Sequence, residues 1–235
     1  MQTIKFNRLN LSNEDFLLDM GCGEGRHSIG AHISTEANIL GFDLSFKDLK
    51  IAKERLNDFD TSQIETICQF ASANIISIPL SDSSLDAVIC SEVLEHVDSP
   101  EESIKELIRV LKPGGVLALS VPRYLPELIC WKFSKEYSQT PGGHVRIFKY
   151  KQLKNLGIMN GLKFSSFHWA HGLHSPYWWL QCLLWNSRES SKIIKIYHKF
   201  LVWDLMKQPL ITRILEFILT PLIGKSLVMY FKKPN

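Results

Sequence analysis

Residues 17–27 read LLDMGCGEGRH, and residues 41–45 read GFDLS. The first stretch has the pattern of a buried strand, a glycine-rich turn and the start of a helix. The second has the pattern of another strand, ending on an acid. Gly21, Gly23 and Gly25 let backbone approach a ligand closely, and glycine tolerates the positive φ values that such a turn demands. Asp43 follows the glycines by about twenty residues, the separation at which a carboxylate closing the second strand accepts hydrogen bonds from a ribose diol. The pair of stretches predicts a nucleoside site.

The spacing narrows the ligand. A dinucleotide fingerprint runs G-x-G-x-x-G, with its third glycine packing helix on strand. In this chain the third glycine comes one residue early, and Arg26 stands at the expected position. Asp19 and Glu24 flank the turn, and their carboxylates would repel a pyrophosphate. They suit a cationic ligand instead. S-adenosylmethionine (SAM) has a sulfonium and an ammonium, lacks phosphate, and carries a carboxylate that the first N–H groups of a helix or Arg26 can receive. The run D-M-G-C-G-E-G-R closely resembles motif I of the class I SAM-dependent methyltransferases.

Outward from this turn, strand patterns recur at Phe16–Met20, Asn38–Phe42, Glu65–Phe70, Leu85–Cys90 and Gly115–Val121. Apolar runs such as DAVIC suit strands covered on both faces by helices. Between them, 47–59 repeats Leu49, Ala52 and Leu56 at helical spacing. The segment 100–111 opens on proline and two acids, repeats Ile104, Leu107, Ile108 and Leu111, and stops before Pro113, with Gly114-Gly115 turning the chain. Alternating strands and helices predict an α/β, doubly wound sheet.

Over residues 14–122 the resemblance rests on five motifs in order. ASANIISIPLSDSSLDAVICSEVLEHV resembles the family stretch that ends in E-V-L-E-H, and LKPGG the loop before the fifth strand. The resemblance implies a Rossmann-like seven-stranded sheet of order 3-2-1-4-5-7-6, with the cofactor against Asp19, Gly21, Cys22, Gly23, Asp43, Leu44, Asn74, Ile75, Ser91 and Glu92. Asn74 stands where the family commonly has Asp beside the adenine amino group, and an amide oxygen still accepts that bond. Ile75 is expected on the adenine face, and Ser91 and Glu92 on the methionyl side. Each has a plainer reading: a tight turn for the glycines, a helix cap for Asp43, a turn residue for Asn74.

Glu92, Glu95 and His96 form E-x-x-E-H on one turn. Similar letters resemble a divalent-metal site in ubiquinone-pathway O-methyltransferases, where Mg²⁺ would acidify a hydroxyl. They also occur in members that need no metal, and no metal is assigned. His96, and His144 in GGHVRIFKYKQL (142–153), are the candidates for a general base, histidine being the residue type suited to proton transfer near neutrality. Arg146 and Tyr150 are expected to face the site with His144, on a loop made mobile by Gly142 and Gly143.

Strand patterns return at Lys163–Ala170 and Ser226–Lys232. In simple family members a short turn joins these two strands; here about 55 residues intervene. They are apolar and aromatic: HGLHSPYWWLQCLLW, SKIIKIYHKFLVWDLM and PLITRILEFILTPLIG. Arg188, Lys192, Lys195 and Lys199 form a stripe at helical steps beside a broad apolar face, the composition of a helix lying in a membrane interface. Residues 181–235 hold nine Lys or Arg against three acids, in a chain whose net charge is +3. Leu210–Ile223 is too short, and with Arg213 and Glu216 too charged, to span a bilayer. The lysines share their segment with aliphatic residues rather than a glycine-aromatic pattern, which disfavours nucleic acid.

The five cysteines are scattered without C-x-x-C pairs, which argues for reduced thiols rather than disulfides or zinc. Cys22 is a small space-filler in the turn, not a nucleophile. The first sixteen residues lack the apolar core of a signal peptide. The chain is therefore expected to be a cytoplasmic methyltransferase using SAM on a small apolar or lipid-like acceptor through O-, C- or N-methylation. Residues 1–170 are expected as the SAM-binding core, 171–224 as a helical insertion, and 225–235 as the last core strand. The insertion is a substrate lid, a peripheral membrane contact or a homodimer seam. The competing readings are a binding or assembly protein that kept the fold without turnover, and a nicotinamide-dependent oxidoreductase.

Overall fold

A computed structural model describes residues 2–61 and 63–235. In chain order the elements are β1 (Phe16–Met20), α1 (Arg26–Ser34), β2 (Asn38–Asp43), α2 (Phe46–Leu56), β3 (Cys68–Ser72), β4 (Leu85–Ser91), α3 (Pro100–Val110) and β5 (Leu111–Pro122). They continue with α4 (Tyr124–Phe133), α5 (Lys135–Ser138), α6 (Tyr150–Met159), β6 (Lys163–Ala170), α7 (His174–Leu183), α8 (Lys192–Lys207), α9 (Leu210–Ile223) and β7 (Ser226–Lys232). One seven-stranded sheet runs β3-β2-β1-β4-β5-β7-β6. β7 is antiparallel to both of its neighbours and the remaining pairs are parallel. This is the strand order expected from the sequence.

Side chains alternate across the central strands, so each strand feeds two cores. Leu18, Met20, Val88, Cys90, Leu117, Leu119, Met229 and Phe231 pack on one face, under α3 and α6. Leu17, Ile39, Ala87, Ile89, Ala118, Val228 and Tyr230 pack on the other. Burial on both faces explains why these strands read as continuous apolar runs; each large side chain fully removed from water contributes about 1.5–3 kcal/mol. The N-terminal residues, for which the sequence offered no role, close the second face. Ile4 and Leu9 are buried there, and Lys5 N–H donates to the Tyr230 hydroxyl at 2.9 Å.

Two boundaries differ from expectation. The LKPGG segment is a bulge inside β5 rather than a turn before it: Leu85 pairs with Leu111 and Ala87 already with Val116, which throws residues 112–115 out of the ladder. Gly114, at φ +78°, permits the bulge, and its N–H donates to Lys233 O at 2.9 Å. β3 starts at Cys68 rather than Glu65, because its ladder with β2 begins at the Ile39–Cys68 pair.

Helices α7 to α9 fill the connection from β6 to β7. Glu216 ties the largely apolar α9 to the domain. Its two carboxylate oxygens accept the Gly172 and Leu173 N–H groups at 2.8 Å each. Much of α8 and α9 faces outward, with Met206, Leu210 and Phe217 largely exposed. Among the described residues no helix is long and apolar enough to cross a membrane.

Candidate active site

The glycine turn leaves β1 with Gly21, Gly23 and Gly25 at φ +77°, +51° and +81°. The N–H groups of Gly21 and Cys22 donate to Phe42 O at 2.7 and 3.0 Å, clamping the turn to the end of β2. A Cβ on Gly21 would lie 2.2 Å from Val93 Cγ2, so this glycine serves packing as well as conformation. Gly23 faces open space, with nothing within 4 Å of where its Cβ would be. Asp43 pins the same turn: Oδ2 accepts Gly23 N–H at 2.8 Å and Oδ1 accepts Ser45 N–H at 2.8 Å. Each oxygen keeps a lone pair for a ligand hydroxyl.

Asp19 lies beneath this turn, buried. Its Oδ2 accepts the Ser28 hydroxyl at 2.7 Å, while Oδ1 has no partner. Burial pushes its carboxyl from 3.8 up to about 6, against the lowering effect of Ser28 and Arg26. An orphaned acceptor there fits a cationic ligand, because a buried polar atom without a partner is costly until something donates to it. Burial also pushes the Cys22 thiol up, which excludes a resting thiolate and leaves that side chain a filler.

At the adenine end expected from the sequence, Leu44 is exposed. Asn74 is exposed too, and its Oδ1 accepts Ile76 N–H at 3.2 Å, an Asx turn. Ile75 points into the main core at 4% exposure, so it does not present a face to solvent; Ile76 is the apolar side chain turned outward, at 48%. Past β4, the Ser91 and Ser120 hydroxyls lie 2.8 Å apart, and Ser120 donates to Glu92 Oε1 at 2.9 Å. Glu92 itself adopts φ +57°, a strained conformation for a side chain of this kind and one that clusters at functional sites. Lys225 Nζ stands 3.7 Å from its carboxylate.

The E-x-x-E-H turn meets the 139–146 loop. His96 Nδ1 lies 3.0 and 3.1 Å from the carbonyls of Gly142 and Gly143. Two carbonyl acceptors fix a proton on Nδ1. His144 Nδ1 lies 2.6 Å from Glu127 Oε1, and the two imidazoles meet edge to face at 4.9 Å. Glu127 is buried; desolvation would raise its carboxyl, but the His144 bond with Lys225 and Tyr137 holds it below the usual range. Glu127 thereby fixes a proton on His144 Nδ1. Glu95 is buried with neither oxygen paired, and desolvation, then the charge of Glu92, drive its carboxyl well above the usual range. Ligand atoms of Glu95, His96 and His144 lie within 4.8 Å of one another, so these three could hold a divalent cation. Glu92, the other acid of the motif, is not in that group.

Arg146 does not face the site. Its guanidinium donates to the carbonyls of Leu94, Val97 and Asp98, clamping the E-x-x-E-H turn. Tyr150 packs against Phe167 instead. Beside the histidines opens a cavity of about 460 Å³, walled by His96, His144, Tyr137, Tyr177, Trp178, Gln181, Trp185 and Arg188. Glu127, Tyr137 and the two tryptophans carried no motif in the sequence. Arg188 was visible only as a member of the basic stripe, yet it precedes α8 and turns back to the cavity.

A family model described as "Methyltransferase domain" matches residues 18–119, from the strand before the glycine turn to the middle of β5. Residues 18–119 are similar to methyltransferase domains. Among curated relatives, the 27-O-demethylrifamycin SV methyltransferase of Amycolatopsis mediterranei is 33% identical over 111 residues, covering 47% of this chain and 40% of the relative. The demethylmenaquinone methyltransferase of Listeria welshimeri is 31% identical over 133 residues, covering 56% and 53%. The chain thus spans about half or less of the length of the curated relatives it matches. The geranyl diphosphate C-methyltransferase of Streptomyces coelicolor, solved with Mg²⁺, geranyl diphosphate and S-adenosyl-L-homocysteine, shares the fold at a TM-score of 0.65. Identity with it is 15%, covering 97% of this chain and 76% of that one. The matched segment thus carries the glycine turn and the E-x-x-E-H turn, while His144 and most of the cavity wall lie C-terminal to it.

Proposed function

We propose that the protein transfers a methyl group from SAM to a hydroxyl of a small, largely apolar acceptor. The observation that carries this is the glycine turn of the methyltransferase domain, open at Gly23, with Asp43 at its side and the unpartnered Asp19 oxygen beneath. Asp19, Gly21, Cys22, Gly23, Asp43, Leu44, Asn74, Ser91 and Glu92 would hold SAM, with Ile76 in place of Ile75 at the adenine. Bound SAM supplies an electrophilic methyl on a sulfonium. The chain's own residues do the rest. The aromatic walls of the cavity orient an apolar acceptor and exclude water, and holding reactants in register is worth roughly 7–11 kcal/mol of barrier. His144 Nε2, oriented by Glu127, takes the acceptor's proton, with His96 Nε2 as the adjacent base. The names of relatives, which include a demethylmenaquinone and a demethylrifamycin methyltransferase, agree with an apolar acceptor.

Residues 171–224 form the insertion in this reading, flanked by a core of 1–170 and 225–235. Its outer face carries the second part: peripheral contact with an anionic bilayer from the cytoplasmic side. Ile196, Met206, Leu210 and Phe217 are exposed, beside exposed Lys192, Lys195, Lys199, Lys207 and Arg213. A monomer rarely leaves so large an apolar face in water, and the cations match acidic headgroups.

Incubation with methyl-labelled SAM and a total lipid extract tests the activity. Label is expected to move to an organic-soluble product, and to stay with SAM when His144→Phe replaces the wild type. Equal transfer by both proteins would refute the role of His144, and no transfer by either would leave the fold without the proposed chemistry.

A further inference from the structure

The cavity beside the histidines has one charged residue that the methyl-transfer reading does not use. Arg188 sits just past the short 3₁₀ turn Trp185–Ser187, and its guanidinium lies 3.6 Å from the centroid of the Trp185 ring. Stacking engages the guanidinium face and leaves its edge of N–H donors free. Nη1 is buried and has no hydrogen-bond partner. Among the described residues Arg188 makes no ion pair either. The surrounding wall is aromatic: Tyr137, Tyr177, Trp178 and Trp185.

A buried donor on a permanent cation is rarely left unpaired. Native proteins pair such charges, and an anion held in an apolar, water-poor wall by a preoriented guanidinium binds far more strongly than in bulk water. The cavity's volume of about 460 Å³ falls in the range of small-molecule sites. It has an imidazole pair on one part of its wall and this cation on another. An occupant that satisfies both is an amphipathic acid, with a group to be methylated near the histidines and a carboxylate or phosphate on Arg188.

We propose that Arg188 is a specificity-determining residue that anchors an anionic group of the acceptor. This rests on the cavity being the acceptor site of the methyl-transfer reading. Trp185 lies against the guanidinium, and Arg188 lines the cavity, where its unpaired N–H groups would receive the anion. The anion contributes binding and orientation, and takes no part in the chemistry.

The test uses the full-length protein saturated with S-adenosylhomocysteine and titrated with decanoate, decyl phosphate and decanol, read by the fluorescence of the tryptophans. The two acids are expected to bind at least tenfold more tightly than decanol, the difference that a charge-assisted hydrogen bond supplies. Arg188→Gln should weaken the acids at least tenfold while changing decanol less than threefold, and Arg188→Lys should recover part of the loss. The relative affinity of decanoate and decyl phosphate reads whether the site suits a carboxylate or a phosphate. Decanol binding as well as the acids, or an Arg188→Gln protein that keeps the preference, would overturn the proposal. Calorimetry with S-adenosylhomocysteine separates the two claims: absent cofactor binding undoes the methyl-transfer reading, whereas intact cofactor binding with no acid preference undoes only the role of Arg188.

Discussion

His144 Nδ1 lies 2.6 Å from Oε1 of Glu127, a carboxylate that is 3% exposed and also accepts the Trp131 indole N–H at 3.1 Å. A buried acid held below its usual range stays ionised, so it fixes the ring with Nδ1 protonated. The pair joins α4 to the loop after α5, two segments 17 residues apart.

The dyad predicts a graded series. His144→Phe should lower kcat by about 10²–10⁴, the usual share of a positioned base. Glu127→Gln keeps the shape but loses the charge that orients the ring, and its kcat should fall between His144→Phe and the wild type. Steady-state kinetics read both, with S-adenosylhomocysteine affinity unchanged. A Glu127→Gln protein with wild-type kcat would remove the dyad from the mechanism.

Two glycines two residues apart should respond differently. Gly21→Ala meets Val93 Cγ2 at 2.2 Å in a positive-φ backbone and should lose about 2–4 kcal/mol of stability, with Val93→Ala restoring part of it. Gly23→Ala has room, so only its backbone strain of about 1–2 kcal/mol applies. Its larger effect should be on cofactor affinity. Thermal melts and calorimetry on the same two proteins check this.

The folded protein raises Asp19 from 3.8 to about 6, so the unfolded chain releases this proton first. Its contribution to stability is present below about pH 4 and is lost as pH rises to about 6. Above that, the penalty is on the order of 3 kcal/mol. Asp19→Asn keeps an acceptor for Ser28 without the charge. At pH 7.5 it should melt at the wild-type temperature or higher, and bind S-adenosylhomocysteine about tenfold more weakly. A lower melting temperature at pH 7.5 combined with unchanged affinity would show that Asp19 is a purely structural acid.

The architecture was legible because its signals are local. Parallel strands buried on both faces give apolar runs such as Leu85–Cys90, helices between them repeat at 3.6 residues, and the glycine turn requires its residues one by one. Of the candidate site, the positive-φ turn at Gly21 and Gly23 was legible because backbone makes it, with Asp43 beside it. The site was not legible where side chains converge from distant segments. Glu127 in α4 has no spacing that ties it to His144, and Arg188 shares the spacing of a helix it does not belong to. Ile75 and Ile76 were indistinguishable by composition; their order in the turn decides which one is buried.

The outer face of α8 and α9 predicts flotation with vesicles containing phosphatidylserine, weakened by salt and by neutral lipid. A triple change of Met206, Leu210 and Phe217 to Glu should abolish flotation and leave the melting temperature within a few degrees, since all three are exposed. Equal flotation of both proteins would contradict membrane contact. A wild type that does not float but sediments as a dimer would assign the face to a second copy.

The central claim is that the glycine turn holds SAM, and isothermal titration with S-adenosylhomocysteine and with NADH tests it most directly. One S-adenosylhomocysteine per chain is expected, lost or weakened at least tenfold by Asp43→Ala, with no heat from NADH. Binding of NADH, or of neither ligand, would contradict the account.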